Sequence, residues 1–523
     1  MRLGIVTFAL ASLLLGTAVQ ASAQGSGDLK IGYIFLDEDG NQSVNYPTFN
    51  DYEGVAFSLE NFRYLFDNGI RLNANLKNMS LDNRNLNFKV DKPRLFGLSF
   101  NHNQYRRVYG FEGDEKTKRN RSNASLWVYP HRDIKLFAGG SYVGFTGSIL
   151  QLFDAGNANP LGPFTNPTLY DYKQTSYNAG FRFSHNGRML QAEYSAADFV
   201  DDSNTDRDQS RYCIKVNAIT PIPRFDWIVA SGGYRSFQTK YKTTDFKLSS
   251  NTGWAGALAK LPENFSLNYS FYFDRTSSDS DFVSTDNLSH AVYLSHLWPQ
   301  LAGLTAGYQT DINDGYQDKI QANSIYFSGW LMPTSEFEFR GEVGLRMEEV
   351  KEGTRLTGDE DRNRFKFSAE YKKPDYGSMT LKFENKNRKN DLIKSEADFI
   401  RISGDCVLQR FKFAELAIGY SFSEGEYENI EQKFEFADHQ VHGDITLHEY
   451  SHITLGAGGI YYRSKRDLDV ERIGLHFTGS YRFLNSYRLE GNYNVHNFDD
   501  FLMSDQYYTA NIVEVNLIRN LLF

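Results

Sequence analysis

Strict alternation of apolar and polar side chains recurs along nearly the whole of this 523-residue chain, and it is the feature that most narrows the possible folds. Phe337, Phe339, Gly341, Val343, Leu345 and Met347 alternate with Glu338, Arg340, Glu342, Gly344, Arg346 and Glu348. Ile70, Leu72, Ala74 and Leu76 alternate with Arg71, Asn73, Asn75 and Lys77, and Tyr487, Leu489, Gly491, Tyr493 and Val495 with Arg488, Glu490, Asn492, Asn494 and His496. A period of two puts successive side chains on opposite faces of a strand, so each segment has one oily and one wet face. Any half-buried sheet would show this locally. Its persistence, with no helical stretch to interrupt it, points to one continuous sheet.

Segments of about ten such residues match the span of a tilted membrane strand. The connectors support the same reading. Short turns fall at 91–94, 129–133, 185–188, 221–224, 261–264, 298–301, 332–335, 372–376, 409–412, 448–452 and 484–486, and longer polar loops such as 198–210, 274–287, 349–362 and 423–433 lie between them. Outer-membrane barrels have this asymmetry, with turns toward the periplasm and loops outside. With a twelfth turn placed at 61–68, the expected fold is all-β: a single transmembrane antiparallel up-and-down β-barrel of about 26 strands, or 24 if the N-terminal hairpin is miscounted. No plug domain is expected, because alternation begins near Ile31, and both termini are expected on the periplasmic side. A propeller would leave the alternation of short and long connectors without a cause.

The two ends of the chain fit an exported barrel. Met1 to Ala23 has a basic start at Arg2, an apolar core through Leu15 and the small-residue exit Ala21-Ser22-Ala23. This reads as a signal peptide (1–23) ahead of an outer-membrane barrel (24–523). At the other end Val513, Val515, Leu517, Arg519, Leu521 and Phe523 share one face. A strand ending on an aromatic resembles the signal read by the barrel-assembly machinery, with Leu517, Leu521 and Phe523 as its expected contacts and Arg519 as a departure from its apolar stripe. Outer-membrane lipid is the expected surroundings, in a Gram-negative cell.

Composition excludes several classes. After residue 23 no apolar run reaches the roughly 18 residues of a membrane helix, and the mean hydropathy is -0.51. Aromatics make up 15% of the chain, with 33 Tyr and 41 Phe, an enrichment that suits strands and interfacial girdles. The formal charge of -9 argues against a nucleic-acid partner. The 2 cysteines, Cys213 and Cys406, fall on strands about ten apart and on opposite faces, and read as free thiols.

A barrel of this size encloses a wide lumen, since 16 to 18 strands already leave an aqueous channel. The segment 145–175 is the one long insertion, rich in Gly, Asn and Pro, and is read either as a constriction or as a surface loop. Arg340, Glu342 and Arg346 on one strand and Lys382, Glu384, Lys386 and Arg388 on another are the candidate lumen-facing or partner-facing residues. Both signs on neighbouring positions suit a solvated wall or the docking of a folded polar protein.

Taken together, the signal peptide, the continuous hairpins, the strand number and the Tyr/Asn/Arg-rich strands make the chain resemble the MtrB/PioB type of outer-membrane barrel in porin-cytochrome electron conduits. That resemblance implies a partner: a multihaem c-type cytochrome in the lumen, with a second cytochrome at the outer surface, serving electron transfer across the membrane in extracellular respiration. The Cys-x-x-Cys of some members near the mature N-terminus is absent here. No Cys-x-x-Cys-His site exists either, so haem is expected only in the partner and no cofactor in this chain. The alternative is a large outer-membrane porin for solutes or polysaccharide, for which Tyr272 and Phe137 would count, though no continuous inward aromatic track is legible.

Other constellations read as structural. His442, His448, His476 and His496 lie on polar faces without a zinc-site spacing. Acidic stretches at 37–39, 201–208, 279–281 and 359–361 lack the Ca²⁺-loop pattern. Trp127, Trp227, Trp254, Trp298 and Trp330 are expected as interfacial anchors. There is no Gly-x-Ser-x-Gly elbow or P-loop, and neither a catalytic residue nor a metal ligand is expected.

Overall fold

The computed structural model describes residues 24–44, 50–108, 116–149, 168–279, 284–315, 318–353, 360–391, 394–411, 413–430, 432–450, 452–484, 486–504 and 506–522. These form one 26-stranded antiparallel sheet, from β1 (Gln24–Gly40) to β26 (Tyr508–Leu522). Each strand pairs with the next in sequence, and β1 pairs with β26 from Ser26↔Leu522 to Gly40↔Tyr508, which closes the cylinder. The count resolves the expectation in favour of 26 and sets aside 24. Among the described residues no separate plug domain is present.

The N-terminal strands differ from the expectation. β1 starts at Gln24, seven positions before the Ile31 start read from the sequence. β2 (Gly54–Leu65) takes in the first part of the stretch 61–68 read as a turn, and the connection to β3 (Arg71–Lys77) lies at 66–70, overlapping only its end. Asn61 has φ 52, and the register with β3 shifts between Leu59 and Phe62. A bulge of this kind breaks the alternation as a turn would.

Where turn chemistry was explicit, the reading holds. Asn186 and Gly187 have φ of 48 and 76, the paired left-handed conformations of a two-residue hairpin loop. Neither costs an ordinary side chain its preferred backbone, because Asn tolerates this region and Gly has no Cβ.

β3 and β4 (Asn85–Lys92) are much shorter than their neighbours, leaving a notch in the wall at the long-loop end. Two connectors fill it. The Met79 amide donates to the Phe57 carbonyl at 2.8 Å and the Gln104 amide to the Arg84 carbonyl at 3.1 Å. The Arg106 amide donates to Asn50 Oδ1 at 2.7 Å, and the Arg106 guanidinium lies 4.2 Å from the Tyr52 ring. Leu81 from this patch packs on Ile34, Ala56 and Ile512, one of the few buried apolar clusters among the described residues. A barrel wall one residue thick has little other core to bury.

The outer surface is apolar. Phe367, Phe383, Ile402 and Phe422 are successive cross-strand partners on one face, with Phe367 and Ile402 among the exposed large hydrophobics. Such a band would be an aggregation surface in water and is satisfied by lipid. The alternate residues point inward and make the lumen polar.

Candidate functional site: the inner wall

The sequence-derived charged residues come together on one panel of the inner wall. β17 (Phe337–Glu352), β18 (Glu360–Lys373), β19 (Gly377–Asn390) and β20 (Ser395–Phe411) are adjacent, and the pairings place their inward residues in rows. Arg346 faces Arg362, which faces Arg388. In the next rows Arg364 faces Lys386, and then Glu342, Lys366, Glu384 and Arg401 follow one another across the four strands. Arg340, Ser368, Lys382 and Ser403 complete the panel.

Carboxylates are shared within it. Glu384 has Lys386 at 3.2 Å, Arg364 at 3.3 Å and Lys366 at 3.5 Å. Glu360 binds Arg362 and also Arg388, the latter at 2.5 Å. Glu342 reaches Arg364 at 3.7 Å, and Arg340 turns to Glu338 at 2.6 Å. Arg346 leaves the panel sideways to Asp311, 2.6 Å away. Lys382 has no carboxylate in ion-pair range among the described residues.

The sequence reading missed the middle strand. Arg362, Arg364 and Lys366 alternate with Asn363, Phe365 and Phe367, a signal as clear as that of β17, but Arg362 had been assigned to the end of a loop.

The neighbouring panel has another character. β12 (Lys247–Lys260), β13 (Phe265–Ser278), β14 (Ser284–Trp298), β15 (Ala302–Gly315) and β16 (Lys319–Thr334) turn Trp254, Tyr272, Tyr293, Tyr326 and Trp330 inward among Ser, Thr, Asn and Gln. Trp254 faces Tyr272 directly, and the Tyr293 and Tyr326 rings lie 6.5 Å apart across Gly307. Three of these rings lie over a glycine on a neighbouring strand, Tyr293 over Gly307 among them. A Cβ on Gly303 would stand 2.4 Å from the Trp330 ring, and one on Gly233 would stand 2.3 Å from that of Trp254. Inward aromatics are therefore more numerous than Tyr272 and Phe137, the two named from the sequence, and Trp254 and Trp330 are lumenal where interfacial anchors were expected. Trp127 also faces inward, seated over Gly97, whereas Trp298 is exposed outside. A groove of about 490 Å³ runs along the first panel and reaches β17, lined by Tyr272, Asn287, Asp311, Asn313, Arg346 and Glu348.

Two of the lumenal histidines are paired with carboxylates, His442 with Asp405 at 3.4 Å and His476 with Asp444 at 3.0 Å. Among the described residues no three metal-ligating side chains converge. Cys213 lies on the inner face of β10 (Gln209–Ile222) beside Ser195, and Cys406 follows the outward Ile402 on β20, so the free thiols occupy opposite faces. On β26, Leu517 and Leu521 face outward with Arg519, whose guanidinium lies 5.7 Å from the Tyr487 ring. Phe523, and most of the 145–175 insertion, lie outside the described residues.

No protein-family model and no curated relative matches the sequence. Among solved structures the chain is similar to the siderophore receptor PirA from Pseudomonas aeruginosa, with 10% identity and a TM-score of 0.51 over 82% of this chain and 80% of that one. It is also similar to the copper transporter OprC, with 10% identity and a TM-score of 0.50 over 96% and 80%. A variant of the ferric enterobactin receptor PfeA from Pseudomonas aeruginosa gives 9% identity and a TM-score of 0.50 over 96% and 81%. These likenesses correct the fold expectation at one point: the single barrel expected from the sequence has a backbone of the kind seen in receptor and transporter barrels, here closed by 26 strands. At such identity they bear on fold alone, and the fold is that of an outer-membrane β-barrel.

Proposed function

We propose that this barrel is a sheath: it encloses a folded multihaem cytochrome and insulates it while electrons cross the outer membrane, with the short turns and both termini on the periplasmic side. The observation that supports this most is the combination of a closed 26-stranded wall with an inner face of closely spaced charges of both signs. A lumen wider than that of a 16- to 18-stranded porin, left open, would breach the membrane. A folded polar guest fills it, and a wall of charged and amide side chains meets such a guest as a wet protein interface does. In this reading the chain performs no chemical step. Its side chains hold the guest, its apolar exterior holds the lipid, and the haems belong to the guest. Gentle detergent extraction from the native membrane, followed by haem staining of what copurifies, tests the reading; a barrel that emerges without a haem protein overturns it.

The aromatic panel of β12–β16 favours a second reading, a solute channel. Rings such as Tyr272 and Trp254, flanked by hydroxyl and amide groups, suit the mixed apolar and polar faces of a sugar. Swelling of liposomes carrying the purified barrel in neutral oligosaccharides distinguishes the two, because a sheath stripped of its guest has no reason to prefer a sugar over an equally sized polyol.

A further inference from the structure

Like charges stand directly opposite one another on the β17–β20 panel. Arg346 pairs with Arg362, Arg362 with Arg388, and Arg364 with Lys386. Directly opposed like charges weaken a sheet, and sheets ordinarily place opposite charges or neutral pairs in these positions. The carboxylates present relieve this only in part, since Glu384 is divided among three cations and Glu360 between two, while Lys382 has none among the described residues. The chain as a whole carries -9, so a cation-rich panel is not a by-product of a basic composition. Local conflict of this kind, kept where a simple exchange of residues would relieve it, marks a functional surface.

The dimensions narrow the ligand. With strands about 4.8 Å apart and inward residues about 6.8 Å apart along each strand, the panel is a plate of roughly 15 by 20 Å. A single phosphate or carboxylate would cover one corner of it. An extended acidic protein surface covers it all.

We propose that the inner face of β17–β20 is the docking surface for an acidic face of the folded guest, and that it sets the guest's rotational position in the lumen. This rests on the sheath reading above and adds the chemistry of the contact. Arg364, Lys366, Lys382 and Lys386 supply the central charges. Glu342 and Glu384 act against them and limit the affinity of the panel for small anions.

The test uses the full-length barrel extracted from its native membrane with its haem-staining partner, washed in rising NaCl. Wild type is compared with Lys382→Gln, with the fourfold variant R364Q/K366Q/K382Q/K386Q, and with Glu384→Gln. The guest is expected to leave the fourfold variant at a clearly lower salt concentration than wild type, with about tenfold weaker retention at physiological salt, and Lys382→Gln to move the same way by a smaller amount. Glu384→Gln is expected to retain the guest to higher salt. Heat-modifiable gel mobility identifies barrels that have folded. Because Lys382 has no local carboxylate partner, Lys382→Gln remains informative if the fourfold variant does not fold. Identical salt profiles for wild type, Lys382→Gln and Glu384→Gln overturn the docking surface and leave the sheath reading intact. A wild-type barrel that carries no haem protein at any salt overturns both.

Discussion

The panels β12–β16 and β17–β20 share one backbone geometry and one lipid-facing exterior, yet differ in almost everything they turn inward. The first presents rings seated over glycines among neutral hydroxyls and amides, and its conspicuous charges are isolated, such as Asp274 held by Ser250 and Thr252. The second presents a lattice of guanidinium and ammonium groups with shared carboxylates. The period of two makes this division possible, because the outward set can satisfy lipid while the inward set is free to specialise. Their common border at Asp311 and Arg346 is itself an ion pair.

Several experiments would break or sharpen that contrast. The largest effect is expected from charge reversal at Arg364, Lys366 and Lys386 to Glu: the guest-free barrel in a planar bilayer should change from anion-preferring to cation-preferring, read as a sign change of the reversal potential in a KCl gradient. Ser270→Glu and Ser289→Glu on the aromatic panel should shift the potential less per unit of charge changed, because no cation array is removed. Equal shifts would erase the distinction between the panels.

Packing gives the next effect. Gly303→Val places two methyl groups beneath the Trp330 ring and should destabilise the folded barrel by about 1–3 kcal/mol, measured by urea unfolding in detergent. The same substitution at Gly341, where a Cβ would meet nothing within 4 Å, serves as the control.

A smaller, pH-dependent effect is expected at the notch over β3 and β4. Burial pushes the Asp51 carboxyl up from 3.8 to about 6, with Arg106 opposing and Glu514 and Glu38 adding to the rise. A raised carboxyl favours the folded state in its protonated form, so this contribution is present at pH 4 and lost as pH rises through 6. Asp51→Asn should therefore strengthen the patch by about 1–2 kcal/mol at pH 7.5 and have no effect near pH 4. Hydrogen exchange of the Met79 and Arg106 amides, which tie the connectors to the wall, would report it.

The smallest perturbation checks the faces themselves. A polar maleimide should label Cys213 in the guest-free barrel and spare Cys406 under the lipid or detergent belt. Reversed labelling would mean that the register of one strand is off by one residue.

Much of this architecture was legible in the sequence because a closed barrel repeats one rule. The alternation in β17 and the Asn186-Gly187 turn each carried their structure in a few residues. The failures have equally local causes. Asn61 breaks the period through a bulge, which a pattern search cannot tell from a turn. In β12 the run Gly253-Trp254-Ala255-Gly256-Ala257 contains no polar residue to mark the wet face, so nothing in it shows that the ring of Trp254 points inward. The charge panel was legible on β17 and β19 and missed on β18 and at Arg401 of β20; on β18 the charged residues begin beside a loop and read as part of it. The opposition of like charges in register depends on pairing between strands, and no single segment displays it.

The junction of β1 with β26 has a consequence for biogenesis. Residues at opposite extremes of the chain must meet, as Glu38 does with Tyr508 and Asp28 with Asn520, before the wall has no free margin. Until then the nascent sheet is a ribbon with two unsatisfied borders of amides and carbonyls, each able to recruit a neighbouring copy. Because this final pairing spans nearly the full contour of the polypeptide, it is the slowest contact to find by chance. Shielding those borders is thus a requirement that the finished cylinder imposes on whatever escorts it to the membrane.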